Sequence, residues 1–188
     1  MCVPSAHPIK DFTEDYLARE MASPTRSEFV DGSVFAMIGA SDRHGQVTLA
    51  LGSRLFDRAP SNRQVFTSEM KLHIADETSS LAYYYPDVLV SCAADDRERY
   101  FREQPVLLIE VISPSTERID RIEKLATYKR IPSLVEYVIA EQDIPKVEVF
   151  RRRTAWQGEE YLAGTTFHVE SVGMEFSIED VYRRVGLS

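Results

Sequence analysis

The sequence predicts an α/β or α+β fold, with a mixed central β-sheet flanked by helices. Two observations carry that prediction. The first is a pair of short runs, Tyr83 to Val90 and Val106 to Ile112, rich in β-branched and aromatic residues and apolar on both faces. Strands in the middle of a covered sheet read this way. The second is the order of the remaining patterns: helix, hairpin, helix, strands, helix, strands, helix. That order puts helices on a mixed sheet. A length of 188 residues suits one domain with a sizeable core. Residues 1–10 read as a disordered lead and residues 11–188 as that domain.

Along the chain, Asp11 with Glu14 three residues on forms a capping box for a helix through about Arg19. Ser23-Pro24-Thr25 breaks it. Asp31-Gly32, between Glu28-Phe29-Val30 and Ser33 to Met37, is the strongest short hairpin signal there is. Ser41 or Asp42 caps a helix from about His44 to Arg58, in which Val47, Leu51 and Leu55 recur at helical spacing. One strand is expected over Gln64 to Ile74, then a turn from Asp76 to Ser80, then the strand carrying Asp87. Ala93 to Glu103 is a polar connection, and the strand carrying Glu110 follows it. Thr116 can cap a helix from Glu117 to about Arg130, which Pro132 stops. Strands are expected at Val135 to Ala140, Lys146 to Arg152, Glu160 to Leu162 and Thr165 to Glu170. Ser177 caps a short C-terminal helix, Ile178 to Val185.

Composition narrows the class. Hydrophobic content of 44% and charge of 28% are ordinary for a soluble globular protein. No run approaches the ~20 apolar residues of a membrane span, and the N-terminus reads as no secretory signal. Two cysteines, Cys2 and Cys92, cannot build a disulfide framework or a Cys-rich zinc site, so a cytoplasmic protein is expected. A net charge of −8 argues against non-specific nucleic-acid binding by bulk electrostatics, though not against a local basic groove. Arg151-Arg152-Arg153 is the one basic cluster, either a backbone contact or a soluble strand end.

Each of the two apolar runs carries one carboxylate. By strand alternation Asp87 shares a face with Tyr85 and Leu89, and Glu110 with Leu108 and Ile112. A buried carboxylate must neutralise or find a partner. Two on adjacent strands repel unless a cation lies between them, and a divalent metal is the simplest such cation. The other reading places each near a strand end, solvated or paired with one of the 22 Lys and Arg.

These residues belong to a longer pattern. Tyr85-Pro86-Asp87-Val88, Pro105 through Thr116 with Glu110 at its centre, Asp120, Glu123-Lys124, Tyr128 and Pro132 through Tyr137 resemble the Uma-two family of predicted endonucleases. Glu28 to Gly32 and His44 fit the same pattern, and the likeness covers roughly residues 12 to 150. That family is part of the PD-(D/E)XK superfamily. The resemblance implies a restriction-endonuclease-like core and a Mg²⁺-dependent endonuclease, with Mn²⁺ able to substitute, cleaving phosphodiester bonds in DNA by metal-activated water. It implies Asp87, Glu110 and Lys124 as catalytic residues, and Asp87, Glu110 and the Val111 carbonyl as metal ligands. Glu28, His44 and Ser113 are candidate second-layer or phosphate contacts. The sequence departs from the superfamily where the usual lysine, two residues after the Glu, is Ile112; Lys124 is the stand-in.

Spacing alone leaves Lys124 open. Ile119, Ile122, Leu125 and Ala126 make the clearest apolar stripe of their helix, while Asp120, Lys124 and Tyr128 share another face. That face either meets the cleft or is solvated. His44, in the first turn of a helix, is expected to be neutral because the dipole opposes its charge. A homodimer would suit cleavage of two strands. The alternative reading is a catalytically weak nucleic-acid-binding or protein-interaction module that keeps the fold.

Overall fold

Asp31 and Gly32 both adopt positive φ, 46° and 82°, as a two-residue hairpin turn requires. They join β1 (Ser27–Val30) to β2 (Ser33–Ala36). The computed structural model describes residues 13–37, 39–75, 80–92, 96–114 and 116–187. The expected lead, the cap at Asp11 and most of the turn after residue 75 lie outside the described residues.

The expected mixed sheet is six-stranded: β3 (Arg63–Thr67), β6 (Val88–Cys92), β8 (Pro105–Ile112), β9 (Glu136–Glu141), β10 (Lys146–Arg151) and β11 (Gly158–Leu162) lie in the order β11-β10-β9-β8-β6-β3. Only β8 and β9 run parallel within it. A second sheet has the order β2-β1-β5-β4-β7, using β4 (Lys71–Ala75), β5 (Ser80–Tyr84) and β7 (Phe101–Arg102). A third pairs β12 (Thr166–Val169) with β13 (Met174–Ser177), a strand not expected from the sequence.

Two apolar runs that read as single strands are each broken between sheets. Residues 64–74 turn at 68–70, where Met70 N–H donates to Thr67 C=O (3.0 Å), so β3 and β4 belong to different sheets. The run 83–90 breaks at Tyr85-Pro86-Asp87, between β5 and β6. Pro86 has no N–H to give a ladder. The Tyr85 N–H instead donates to the Glu28 carboxylate (3.0 Å), which keeps it from being orphaned. Asp87 therefore lies at a corner, and strand parity does not set its direction.

The helices cover both faces of the large sheet. α2 (Asp42–Arg58) begins as expected, with the Ser41 hydroxyl accepting from His44 N–H (3.1 Å). Its Val47, Leu51 and Leu55 are fully buried against Val88, Ile109 and Val111, with α4 (Ile178–Tyr182) beside them. Each such leucine contributes about 1.5–3 kcal/mol. The opposite face, with Leu89, Leu108 and Ile112, packs on Leu72 and Tyr84 of the second sheet and on Leu125 and Tyr128. α1 (Thr13–Ala22) closes the second sheet through Tyr16, against Phe29 and Tyr83.

The segment after β8 departs most from expectation. It is a π-helical stretch, Ile119–Lys124, running into a short α3 (Leu125–Tyr128). Thr116 does not cap it; its hydroxyl oxygen accepts from Ser113 N–H (3.1 Å). The expected stripe is core only in part: Leu125 is buried, but Ile122 is 61% exposed and Ala126 is exposed, while Asp120, Lys124 and Tyr128 are buried. The wider π turn rotates the inward face away from where a 3.6-residue period puts it.

Candidate active site

Extending the β6–β8 register, in which Val88 faces Ile109, by one residue sets Asp87 directly opposite Glu110. The Val111 N–H donates to Asp87 Oδ2 (2.8 Å), which ties the corner to β8. On the α2 side, His44 Nε2 lies 3.2 Å from the same oxygen. The first turn of α2 is held there by Ser41, bonded to Gln142 (2.8 Å), and by Arg43, paired with Asp143 (3.0 Å).

On the other side of β8 stands Lys124. Its ammonium is 3.0 Å from Glu110 Oε1, 3.2 Å from Asp120 Oδ1 and 3.7 Å from Glu28 Oε1. Its side chain is only 9% exposed. The Tyr128 hydroxyl donates to Glu110 Oε1 (2.8 Å), so two donors converge on one oxygen of that carboxylate. The structure thus brings Glu28, His44, Asp87, Glu110 and Lys124 together with Val111. Ser113 follows the end of β8, three residues after Glu110, and its hydroxyl lies 3.4 Å from Thr116 Oγ1. Asp120 and Tyr128 join the cluster although no role had been assigned to them. Their shared helical face with Lys124 was the available signal.

Four acids, Glu28, Asp87, Glu110 and Asp120, surround one lysine and one histidine. Burial pushes the Glu110 carboxyl well above its ordinary range; Lys124 pulls it down, while Asp120, Asp87 and Glu28 push it further up. Burial works against the Lys124 ammonium, but Glu110, Glu28 and Asp120 outweigh it and hold its pKa well above the usual value. That direction favours the charged, hydrogen-bond-donating form of the ammonium.

Burial also opposes charge on His44, yet the hydrogen bond and charge of Asp87, helped by Asp120 and the Val111 backbone, raise its pKa above the ordinary 6.5. The direction is opposite to the depression expected from the helix N-terminus, because a carboxylate in contact outweighs the dipole. A raised folded-state value means that the stability His44 contributes is complete below about pH 6.5 and is lost as pH rises through the folded value. In chelator, the stability advantage of the wild type over His44→Gln should shrink across that interval. An advantage that stays flat from about pH 5 to 8 would exclude a charged His44.

The donor chemistry of this cluster fits a hard divalent cation: carboxylate oxygens in excess of positive charge. Among the described residues no three His, Cys, Asp or Glu side chains are grouped to hold one ion by themselves. Mg²⁺ does not need such a cage, since it takes one or two carboxylates and keeps several waters. Among the described residues no helix is long and apolar enough to cross a membrane.

Comparison with known proteins follows the same lines. A family model described as "Uma2: Putative restriction endonuclease" matches residues 13–179. Two Synechocystis proteins are similar. The uncharacterized protein slr1290 is 29% identical over 184 residues, covering 96% of this chain and 95% of its own. The uncharacterized protein sll1609 is 35% identical over 143 residues, covering 73% and 78%. Among solved structures, a putative nuclease belonging to DUF820 from Anabaena variabilis superposes with a TM-score of 0.75. It covers 93% of this chain and 99% of its own at 16% identity, a likeness of fold.

Proposed function

The chain belongs to the Uma2 family and has a restriction-endonuclease-like fold, and on that premise we propose that it is a Mg²⁺-dependent endonuclease cleaving phosphodiester bonds in DNA. The observation that supports this most is the buried Glu110–Lys124 contact beside Asp87, with Glu28 and Asp120 adding negative charge. Asp87 and Glu110 would hold the ion, with the Val111 carbonyl. When bound, such an ion neutralises charge on the scissile phosphate and lowers the pKa of a water. Lys124 donates to a phosphate oxygen or orients the attacking water. It takes the part of the lysine that Ile112 replaces. His44 fixes the Asp87 carboxylate from behind.

Nicking of supercoiled plasmid DNA in Mg²⁺ and in Mn²⁺ tests the reading, with calorimetric titration of Mg²⁺ into the wild type and Asp87→Ala. Equal metal binding by the two proteins would remove Asp87 as a ligand. Metal binding and DNA binding without cleavage would favour the catalytically weak binding module. A two-fold dimer would present two such sites to two strands.

The charge excess gives a test that needs no substrate. Because the folded-state pKa of Glu110 is raised, its strain is absent at low pH, where both states are protonated. The strain grows as pH rises past the unfolded value and through the folded one. Glu110→Gln keeps an oxygen for Lys124 and Tyr128 and removes the charge. It should raise the melting temperature in chelator at neutral pH. It should also abolish most of the stabilisation that Mg²⁺ brings by binding the native state. A lower melting temperature for the variant in chelator, with a wild type that ignores Mg²⁺, would sink the metal-site reading.

A further inference from the structure

We infer that Asp120 is a positioning residue for Lys124: it aims the ammonium at Glu110 from within the same helix. The inference rests on the nuclease reading above. Charge balance does not call for Asp120, since Glu110 and Glu28 already lie 3.0 and 3.7 Å from the ammonium. A third buried acid adds repulsion, so its use is geometric. An ammonium has three N–H donors on a flexible four-carbon stem. Here three carboxylates, from β1, from β8 and from the helix itself, surround it and define its direction. On an exposed helix an Asp–Lys pair four apart contributes only ~0.3–0.5 kcal/mol. This pair is buried on both sides.

The backbone of Asp120 is itself pinned. The Tyr137 hydroxyl donates to its carbonyl (3.2 Å), and its N–H donates to the Thr116 carbonyl (3.0 Å). Asp120 and Lys124 bracket most of the π-helical stretch, a local geometry frequent at functional sites. That geometry brings both side chains inward, away from exposed Ile122.

Two measurements decide it. In cleavage of supercoiled plasmid with Mg²⁺, Asp120→Ala should lower kcat about 10–100-fold with KM and the calorimetric Mg²⁺ affinity little changed. Asp120→Asn, which keeps the accepting oxygen, should recover most of that loss. In a Lys124→Met background Asp120→Ala should cost nothing further, because Asp120 acts through the lysine. An equal loss in both backgrounds, or no loss in either, overturns the inference. The second measurement needs no activity. The ¹⁵N-labelled Lys124 ammonium resonance, assigned by its disappearance in Lys124→Met, should be sharp and slowly exchanging in the wild type. It should broaden in Asp120→Ala and return in Asp120→Asn. A resonance equally sharp in Asp120→Ala overturns the inference whatever the activity. A wild type that cuts no plasmid sinks the nuclease reading, and the resonance still decides the positioning role.

Discussion

Lys124→Met should reduce plasmid cleavage by roughly 10²–10³-fold, the usual cost of losing one preorganised donor to a reacting group. The same change should lower the melting temperature in chelator at neutral pH. Methionine fills the space but leaves Glu110, Asp120 and Glu28 without the ammonium that lies within 4 Å of all three. Breaking a buried pair from one side costs about 3–5 kcal/mol. Added Mg²⁺ should return part of that stability, and so should acid, by protonating the carboxylates. Cleavage that survives at wild-type rate would remove Lys124 from the chemistry. A melting temperature unchanged in chelator would mean that the acids do not depend on the lysine at all.

Glu136→Ala should be the most destabilising single change away from the site. Glu136 is completely buried and accepts from Arg151 Nε (3.0 Å), Glu170 N–H (3.0 Å) and Ser171 N–H (2.7 Å). Arg151 is buried with it, and also bonds Glu159 (2.6 Å) and the His168 carbonyl (2.6 Å). Alanine orphans two backbone donors and leaves the guanidinium short of one partner. The expected loss is about 3–5 kcal/mol. At ~2–4 °C per kcal/mol for a chain of this size, the melting temperature should fall by roughly 10 °C. A fall equivalent to less than about 1 kcal/mol, the worth of an exposed pair, would show that these contacts do not persist in solution. Nor is the basic cluster a free anion surface: Arg152 donates to the Leu134 carbonyl (2.8 Å), and Arg153 pairs with Glu170.

Local chemistry was legible wherever a residue's own conformational preference decides the outcome. Asp31-Gly32 turns a hairpin because both positions tolerate positive φ. Ser41 starts α2 because its hydroxyl reaches the His44 N–H. The run around Glu110 is a strand buried on both faces because nothing in it breaks a ladder. The long motif around Asp87, Glu110 and Lys124 was enough to recognise the family, since residue types at fixed spacings do not depend on seeing the fold.

What the sequence determined alone, then, was the Asp31-Gly32 hairpin, the start of α2, the strand around Glu110 and the family. What only the tertiary structure decided was which side chains meet. The run through Tyr85-Pro86-Asp87 divides between two sheets, and it is Glu28, 57 positions upstream, that takes the Tyr85 N–H at the break. The helix after β8 turns Asp120 and Lys124 inward because carboxylates on β1 and β8 await the ammonium there. Apolar periodicity reports burial for a regular helix packed by hydrophobic contact. It carries no record of a π turn, or of a charged face that is buried because its partners come from distant strands.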